Sequence, residues 1–309
     1  MNRPAKIAGA RLSKSGSHSD YPWKLWFIGY LFVLPALVFT LLFDYYPILS
    51  GVYHAFYRWD GAQLEKFVGF DHFAEIFHDV VFWISVKNMM ILLVAHIILM
   101  VPTVASCIVL FRLKSSRFQY LYRLLFCLPM VVPMLVTLLL WQFMYNPQFG
   151  FFNQLLDAVG LGQFQQLWLG DPNLALWALV FMGFPWINTI AALIYLGGLQ
   201  SVDGSIWDAA KVDGVGPVKQ ALKLELPLIK GQFKLNLIGV ISGTITGYGV
   251  QLVLTNGGPG NSTLVPGLYM YQRAFGGRTE FGYASAVGLL LFAIALLITI
   301  ATMKFIKSE

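Results

Sequence analysis

The residues whose types and spacing could do chemistry lie in one polar stretch between long apolar runs, residues 207–217 and 224–227. Asp208 carries a charge that could meet a basic group on another protein. Ala209 and Ala210 are small, so a partner surface could approach the helix backbone closely at these positions. The stretch is therefore better suited to protein contact than to a reaction.

This stretch has the pattern of two short helices around a tight turn. Ser205 is a possible N-cap of the first helix. Gly214 is placed to end that helix with a positive φ, and Pro217 can begin the second. Asp213, just before the turn, is a second possible acidic contact. On these properties alone, an amphipathic helix pair lying on the membrane surface is an equally good interpretation.

The motifs of common active sites are missing from the sequence. It has neither a phosphate-binding Gly-x-x-x-x-Gly-Lys-Ser/Thr loop nor a His-Glu-x-x-His zinc motif, and no nucleophile set is evident. Cys107 and Cys127 do not form a metal-ligand pattern. We therefore expect a chain that is not an enzyme, with no catalytic, cofactor-binding or metal-binding residues. A triad assembled from distant residues stays open at this point.

The composition is that of an integral membrane protein, with 57% hydrophobic and 12% charged residues among 309. A helix needs about 20 mostly apolar residues to cross a bilayer. This criterion predicts an all-α membrane protein with six transmembrane helices, at about Leu25–Phe43, Met89–Phe111, Tyr120–Tyr145, Leu174–Leu199, Leu235–Leu254 and Tyr283–Phe305. The predicted domains are a cytoplasmic tail, residues 1–24, and a transmembrane domain, residues 25–309.

Basic residues predict the orientation of these spans. Most of the 21 Lys and Arg residues fall on one side if the N-terminus is inside, and the positive-inside rule favours that arrangement. Both termini are then cytoplasmic. The polar stretch lies in a cytoplasmic loop of about residues 201–232, here called the 201–232 loop.

The interiors of the predicted spans are almost free of ionisable groups, and His96 is the main exception. An ion-coupled carrier usually needs such groups along its pathway, so this class is disfavoured. Neutral polar and aromatic groups are present instead and suit a hydroxylated solute, although they could equally bond one helix to another. The candidate path residues are Trp141, Gln142, Trp186, Asn188, Ser242, Thr244, Tyr248 and Gln251.

The order acidic-Ala-Ala, Gly, then aliphatic-x-Leu-Pro resembles the EAA signature of ABC importer permeases, with Asp208 where Glu is usual. The segment 67–73, and 255–263 with its Gly-Gly-Pro, resemble two further elements of carbohydrate permeases. The chain is thus similar to the upstream-type permeases of the maltose and glycerol-phosphate class.

This resemblance implies a type I importer transmembrane domain in the cell inner membrane, working by alternating access. The implied partners are a second permease, two ATPase subunits that bind the ATP, and an external solute-binding protein. ATPase docking would fall to Asp208, Ala209, Ala210, Asp213 and Gly214. The implied cargo is a sugar or sugar-like solute, and the alternative is glycerol-3-phosphate or another polyol or anionic solute.

Overall fold

A computed structural model describes residues 23–277 and 279–305, and the chain divides into two units, Met1–Ser50 and Gly51–Glu309. The predicted N-terminal tail lies outside the described residues as far as residue 22. The described part of the first unit is helical, with α1 at Trp23–Thr40 followed by a π-helical turn at Leu41–Tyr45. Helix α2, Tyr46–His54, continues into the second unit. Every described side chain from Trp26 to Leu49 is exposed, which is the surface expected of a helix that meets lipid or another chain.

The second predicted span begins at Val80 rather than Met89. Its two helices are α4, Val80–Ile98, and α5, Met100–Arg112, which together form a 33-residue span. The start is set by Asp79, whose carboxylate accepts a hydrogen bond of 2.8 Å from the backbone N–H of Val81. The sixth predicted span is α17, Phe281–Phe305, which is 25 residues long.

The third predicted span is bent. Helix α6, Ser116–Val131, and helix α7, Met134–Met144, meet at an angle of 89° across Val132 and Pro133. Because Pro133 has no backbone N–H and restricts the residue before it, a straight helix cannot pass through this point.

The fourth and fifth predicted spans are each interrupted. In the fourth span, residues 182–188 separate α9, Ala175–Phe181, from α10, Thr189–Gln200. In the fifth span, Gly247 and Tyr248 separate α14, Lys230–Thr246, from α15, Gly249–Leu254. Within the described residues, three helices are long and apolar enough to cross a membrane, or four if the bent pair is one span. The six spans predicted from hydropathy include the two interrupted segments and the bent pair, because a hydropathy window averages over Gly and Pro residues that break a helix.

The remaining elements include a small antiparallel hairpin in which Tyr57 pairs with Phe67. Helix α17 approaches this hairpin closely: a Cβ at Gly282 would lie 2.1 Å from the carbonyl oxygen of Tyr57. The elements of the second unit, in chain order, are β1 Tyr57–Trp59, β2 Leu64–Phe67, α3 Asp71–His78, α4 Val80–Ile98, α5 Met100–Arg112, α6 Ser116–Val131, α7 Met134–Met144, α8 Phe151–Ala158, a 3-10 turn Gly162–Phe164, α9 Ala175–Phe181, α10 Thr189–Gln200, α11 Gly204–Val212, α12 Pro217–Gln220, a π-helical turn Ala221–Glu225, α13 Leu226–Leu228, α14 Lys230–Thr246, α15 Gly249–Leu254, α16 Pro266–Phe275 and α17 Phe281–Phe305.

Among the described residues of the second unit, three apolar clusters hold the helices together. The largest joins α4, α14, α16 and α17. A second joins α5 to α10 and reaches the end of the 201–232 loop through the fully buried Ile229. The third packs Leu138 of α7 against Leu179 of α9 and Leu254 of α15. The interrupted spans are therefore packed against neighbouring helices, which is the condition under which broken helices are tolerated in membranes.

Candidate functional site

The first helix of the 201–232 loop, α11, begins two residues earlier than the sequence indicated. Asp203, not Ser205, is the N-cap of α11, because its carboxylate accepts a 2.8 Å hydrogen bond from the N–H of Ser205. The prediction of Ser205 as the cap was wrong, since Gly204 is already helical. An Asp side chain can cap a helix as well as Ser does, and here it stands two residues upstream.

The turn that follows agrees with the sequence. Gly214 has φ of +60° and receives no contact that would crowd a Cβ. The N–H of Val215 donates to the carbonyl of Ala210 at 3.2 Å, and the N–H of Gly214 to that of Lys211 at 3.2 Å, which closes the end of α11. Pro217 is the first residue of α12, where its missing N–H costs nothing.

The predicted docking residues of α11 point in different directions. Asp208 is exposed and forms a 2.9 Å ion pair with Lys211, with about three quarters of both side chains in solvent. Ala209 and Asp213 are exposed, whereas Ala210 is buried against the chain itself. Asp208, Ala209, Asp213 and Gly214 are therefore accessible to a partner. Ala210 is instead covered by the chain itself, so its side chain is not available to a partner.

The 201–232 loop also exposes large apolar side chains on both sides of the turn. Val212 is 87% exposed, Val218 is 72% exposed and Leu222 is 61% exposed. The motif spacing gave no indication of this surface, because Val218 and Leu222 fall at positions that the signature leaves variable. Exposed apolar residues grouped on a polar loop are typical of a protein contact surface.

Sequence reasoning missed the way the loop is attached to the membrane helices. Arg112, at the end of α5, forms two parallel hydrogen bonds of 2.8 Å to the carboxylate of Glu225. Glu225 is fully buried. The sequence signal was present, since Glu225 is a single charge between Leu224 and Leu226 in the Leu-Glu-Leu-Pro element.

The candidate path residues Trp186 and Asn188 lie in the break between α9 and α10. Thr103 of α5 holds both: its hydroxyl donates to the carbonyl of Trp186 at 3.0 Å and accepts from the N–H of Asn188 at 3.0 Å. The side chain of Asn188 caps α10 through the N–H of Ala191. Thr103 is a buried hydroxyl that sequence reasoning did not single out.

Trp141 joins the same group through an aromatic contact. Its ring lies 6.3 Å from that of Phe181, and Phe181 lies 5.8 Å from the ring of Trp186. Gln142, the next residue, is exposed. Two of the predicted path residues, Trp141 and Trp186, are thus brought together by α9.

The remaining candidates belong to the other interrupted span. Tyr248 stands at the break between α14 and α15, and its ring is stacked at 5.5 Å on that of Tyr271. Thr244 accepts or donates a 2.9 Å hydrogen bond with His96 of α4, which is the interhelical role that neutral polar residues often perform. Ser242 is half-buried and Gln251 is buried. The contacts of Thr244 and Tyr248 are with α4 and α16 rather than with the Trp186 group.

A dense polar network lies at the other end of the α4–α5 span, where α4 begins. Arg273 donates to Asp79 at 3.0 Å and to Glu280 at 2.7 Å, and the hydroxyl of Tyr269 donates to Asp79. The hydroxyl of Tyr283 also donates to Asp79, at 3.3 Å. These five residues are called the Asp79 network.

The Asp79 network keeps its charges fixed. Burial by itself would raise the pKa of Asp79, but the hydrogen bonds from Tyr269, Val81, Phe82 and Arg273 outweigh it, so the pKa lies below its ordinary value. Burial raises the pKa of Tyr269 above its ordinary range, and the bond to Asp79 adds to this effect. Asp79 is therefore an anion and Tyr269 a neutral donor across the physiological range.

The Gly-rich segment 255–263 folds beside this network as irregular turns. Buried Asn88 of α4 donates to the carbonyls of Asn261 and Leu264, both at 2.9 Å. The hydroxyl of Thr263 donates to the carbonyl of Gly258 at 2.8 Å. An open pocket of about 460 Å³, whose lining includes the polar residues Asp79, Asn256 and Gln272, lies next to this segment.

Comparison with known proteins places the chain among transport components. Residues 103–307 match the model of the family described as "Binding-protein-dependent transport system inner membrane component". The chain is 34% identical over 284 residues to the probable ABC transporter permease protein YurN of Bacillus subtilis (strain 168), covering 91% of this chain and 96% of YurN. It is 30% identical over 284 residues to the lactose transport system permease protein LacF of Rhizobium radiobacter, covering 90% and 92% of the two chains.

The fold is also similar to that of a solved transporter. A chain of the bacterial alginate ABC transporter, crystallised in complex with an alginate pentasaccharide-bound periplasmic protein, superimposes with a TM-score of 0.81 at 20% identity. The match covers 93% of this chain and 97% of that one. At this identity the similarity establishes the fold alone.

Proposed function

The chain belongs to the family of inner membrane components of binding-protein-dependent transport systems, and we propose that it is the six-span pore subunit of an ATP-driven sugar importer. In this proposal an external binding protein delivers a sugar or sugar-like solute, and the chain moves it inward by alternating access. LacF, whose name specifies lactose, is one relative that supports a sugar as the cargo. Both termini and the 201–232 loop would then lie in the cytoplasm.

The observation that carries the proposal is the exposed surface of the 201–232 loop. Val212, Val218 and Leu222 expose apolar side chains around the turn at Gly214, and Asp208 adds an exposed charge beside them. Such a surface is costly in water unless a partner covers it. An ATPase subunit that binds here would supply the energy for transport, since the sequence contains no Gly-x-x-x-x-Gly-Lys-Ser/Thr loop.

The remaining partners follow from the same proposal. A second permease would complete the pore, a pair of ATPases would bind the two permeases, and ATP would be bound by the ATPases alone. The first span, with all described side chains from Trp26 to Leu49 exposed, offers a surface for the second permease or for lipid. The six spans of the proposal include the α9–α10 and α14–α15 pairs as two crossings interrupted within the membrane.

The interrupted spans are the proposed substrate path. Irregular backbone at membrane depth is tolerated where it is buried in protein or lines a cavity, and transporter sites are often formed at such breaks. Trp186, Asn188 and Tyr248 stand at two of these breaks. Aromatic faces and amide groups are the chemistry that recognises a sugar ring and its hydroxyls.

Two matched glycine variants test the docking role. Gly214 and Gly216 both have open space where a Cβ would go, but only Gly214 has a positive φ. We expect Gly214→Val to distort the turn, because a β-branched residue is strained at φ of +60°. Gly216→Val should be tolerated, since φ of −63° and ψ of 157° suit any residue before a proline.

The measurement is ATP-driven solute uptake by the complete importer reconstituted in proteoliposomes, with complex assembly followed in parallel. The expected result is loss of uptake and of ATPase binding for Gly214→Val, with Gly216→Val close to wild type. Full uptake and full ATPase binding by Gly214→Val would contradict the docking role. Uptake that persists without the ATPase and collapses with an ionophore would instead establish an ion-coupled carrier.

A further inference from the structure

Glu225 is a charged group that neither the family signature nor the docking surface accounts for. It is fully buried, although most residues of the 201–232 loop are exposed. Burying a carboxylate costs several kcal/mol unless the charge is paired and its oxygens accept hydrogen bonds. Its retention in this position therefore depends on the groups that surround it.

Arg112 supplies most of those groups. Its Nε donates to Oε1 of Glu225 and its Nη2 to Oε2, both at 2.8 Å, which is the bidentate geometry of a strong ion pair. Nη2 also donates to the carbonyl of Pro217 at 2.7 Å. Gln220 donates to Oε1 of Glu225 at 3.1 Å. One guanidinium thus holds both ends of the segment 217–225.

The residue before Arg112 holds the other half of the loop. The ring of Phe111 lies 5.1 Å from that of Trp207 in α11, and Trp207 packs at the edge of the apolar cluster between α5 and α10. Two consecutive residues at the end of α5 therefore contact the helices on the two sides of Gly214. The exposed side chains Val212, Val218 and Leu222 remain free.

We propose that Arg112 and Glu225 are positioning residues that make the 201–232 loop move as one body with the α4–α5 span. This proposal rests on the proposed function, because the movement is the one imposed by ATPases bound at the loop. A loop attached only by apolar contacts could tilt on the end of α5 and absorb a displacement. The bidentate ion pair, together with the hydrogen bond from Arg112 to the Pro217 carbonyl, resists such tilting. A displacement of the loop is then transmitted to the rest of the α4–α5 span.

The proposal predicts poor coupling without loss of assembly. We expect Glu225→Gln and Arg112→Gln to bind the ATPases and hydrolyse ATP, but to transport about tenfold less solute per ATP than wild type. The double variant should lose little more than either single variant, because both remove the same connection. Lys114→Gln, an exposed charge two residues from Arg112, is the matched control and should keep the wild-type ratio.

The decisive readout is the ratio of solute imported to ATP hydrolysed by the reconstituted complete importer, with complex assembly measured by co-purification. A merely structural role would lower the amount of assembled complex and leave the ratio unchanged. If single variants fail to assemble, Arg112→Met combined with Glu225→Met removes both charges together, a change that often preserves folding. A wild-type ratio in any assembled variant lacking the pair would overturn the proposal.

The two proposals fail in different ways. If the wild-type importer shows no uptake driven by ATP, the proposed function is wrong. If the wild type is coupled and the variants keep its ratio, the proposed function stands and only the role of the Arg112–Glu225 pair is wrong.

Discussion

The two ends of the α4–α5 span are held in different ways. At 1.5 Å per residue the 33-residue span is about 50 Å long, with Asp79 just before its first residue and Arg112 as its last. Asp79 belongs to a network that joins α4 to α16 and α17, and the polar groups of this network form hydrogen bonds with one another. Arg112 makes one ion pair, with the buried Glu225, and the outer part of the loop leaves its apolar and charged side chains exposed.

The contacts at the Asp79 end stabilise the chain itself, whereas those at the Arg112 end position a surface for a partner. The Asp79 end is stabilised by charge-assisted hydrogen bonds among elements of one chain, so its geometry does not depend on a partner. The Arg112 end fixes where the loop stands and leaves its outer face uncovered. Variants at the first end should therefore change stability, and variants at the second should change transport.

The largest effect on stability is expected for Asp79→Asn. Asn can still cap α4, so the change removes chiefly the charge that faces Arg273. Loss of this charge-assisted bonding should lower the free energy of unfolding by about 2 kcal/mol. Asp60→Asn is the matched control, because Asp60 accepts two backbone hydrogen bonds at an exposed turn. Thermal unfolding of the purified protein in detergent measures the stability of both variants. An equal decrease in stability for the two would contradict the stabilising role of the charge at Asp79.

The same network predicts a dependence on acid. The pKa of folded Asp79 lies below its ordinary value of 3.8, so its contribution is present above about pH 4 and is lost as the pH falls through the folded pKa. The melting temperature of the wild type should fall in that acidic window. The fall should be smaller for Asp79→Asn, in which the group does not titrate. Equal acid sensitivity of the two proteins would mean that other carboxylates dominate.

A smaller loss is expected for Asn88→Ala at the same end of the span. Asn88 donates to two carbonyls of the Gly-rich region, and its removal leaves buried acceptors unpaired. The expected decrease is about 1 to 2 kcal/mol in the free energy of unfolding. Asn173→Ala, on an exposed turn, should change little by comparison. If Asn88→Ala costs more than Asp79→Asn, the Gly-rich segment rather than the network dominates this end.

The smallest effect on stability is expected at the 201–232 loop. The ion pair of Asp208 with Lys211 is exposed, and such pairs contribute about 0 to 1 kcal/mol. Asp208→Asn and Lys211→Gln should therefore leave the melting temperature nearly unchanged, and each breaks the same pair. ATP-driven uptake should fall only for Asp208→Asn if Asp208 meets a basic group of the ATPase. Equal uptake by the two variants would assign the contact to another residue, such as Asp213.

Sequence reasoning was most successful where the structure depends on a few adjacent residues. The turn at Gly214 and the start of α12 at Pro217 were predicted, because positive φ and the missing N–H are properties of single residues. The cap of α11 was misplaced by two residues, since Asp203 and Ser205 offer similar chemistry. The interruptions of the fourth and fifth spans were missed because hydropathy measures composition over a window and not backbone continuity.

The amino-acid sequence by itself determined that this is a helical membrane protein with a polar loop between apolar segments, because hydropathy and turn chemistry are local. Only the tertiary structure decided which charges meet. Arg112 and Glu225 are 113 residues apart in the chain, and Asp79 and Arg273 are 194 apart. A buried site strengthens the attraction within such pairs because its dielectric constant is low, and burial depends on how distant helices pack. The positions of Ala209 and Ala210, one exposed and one buried, were decided in the same way.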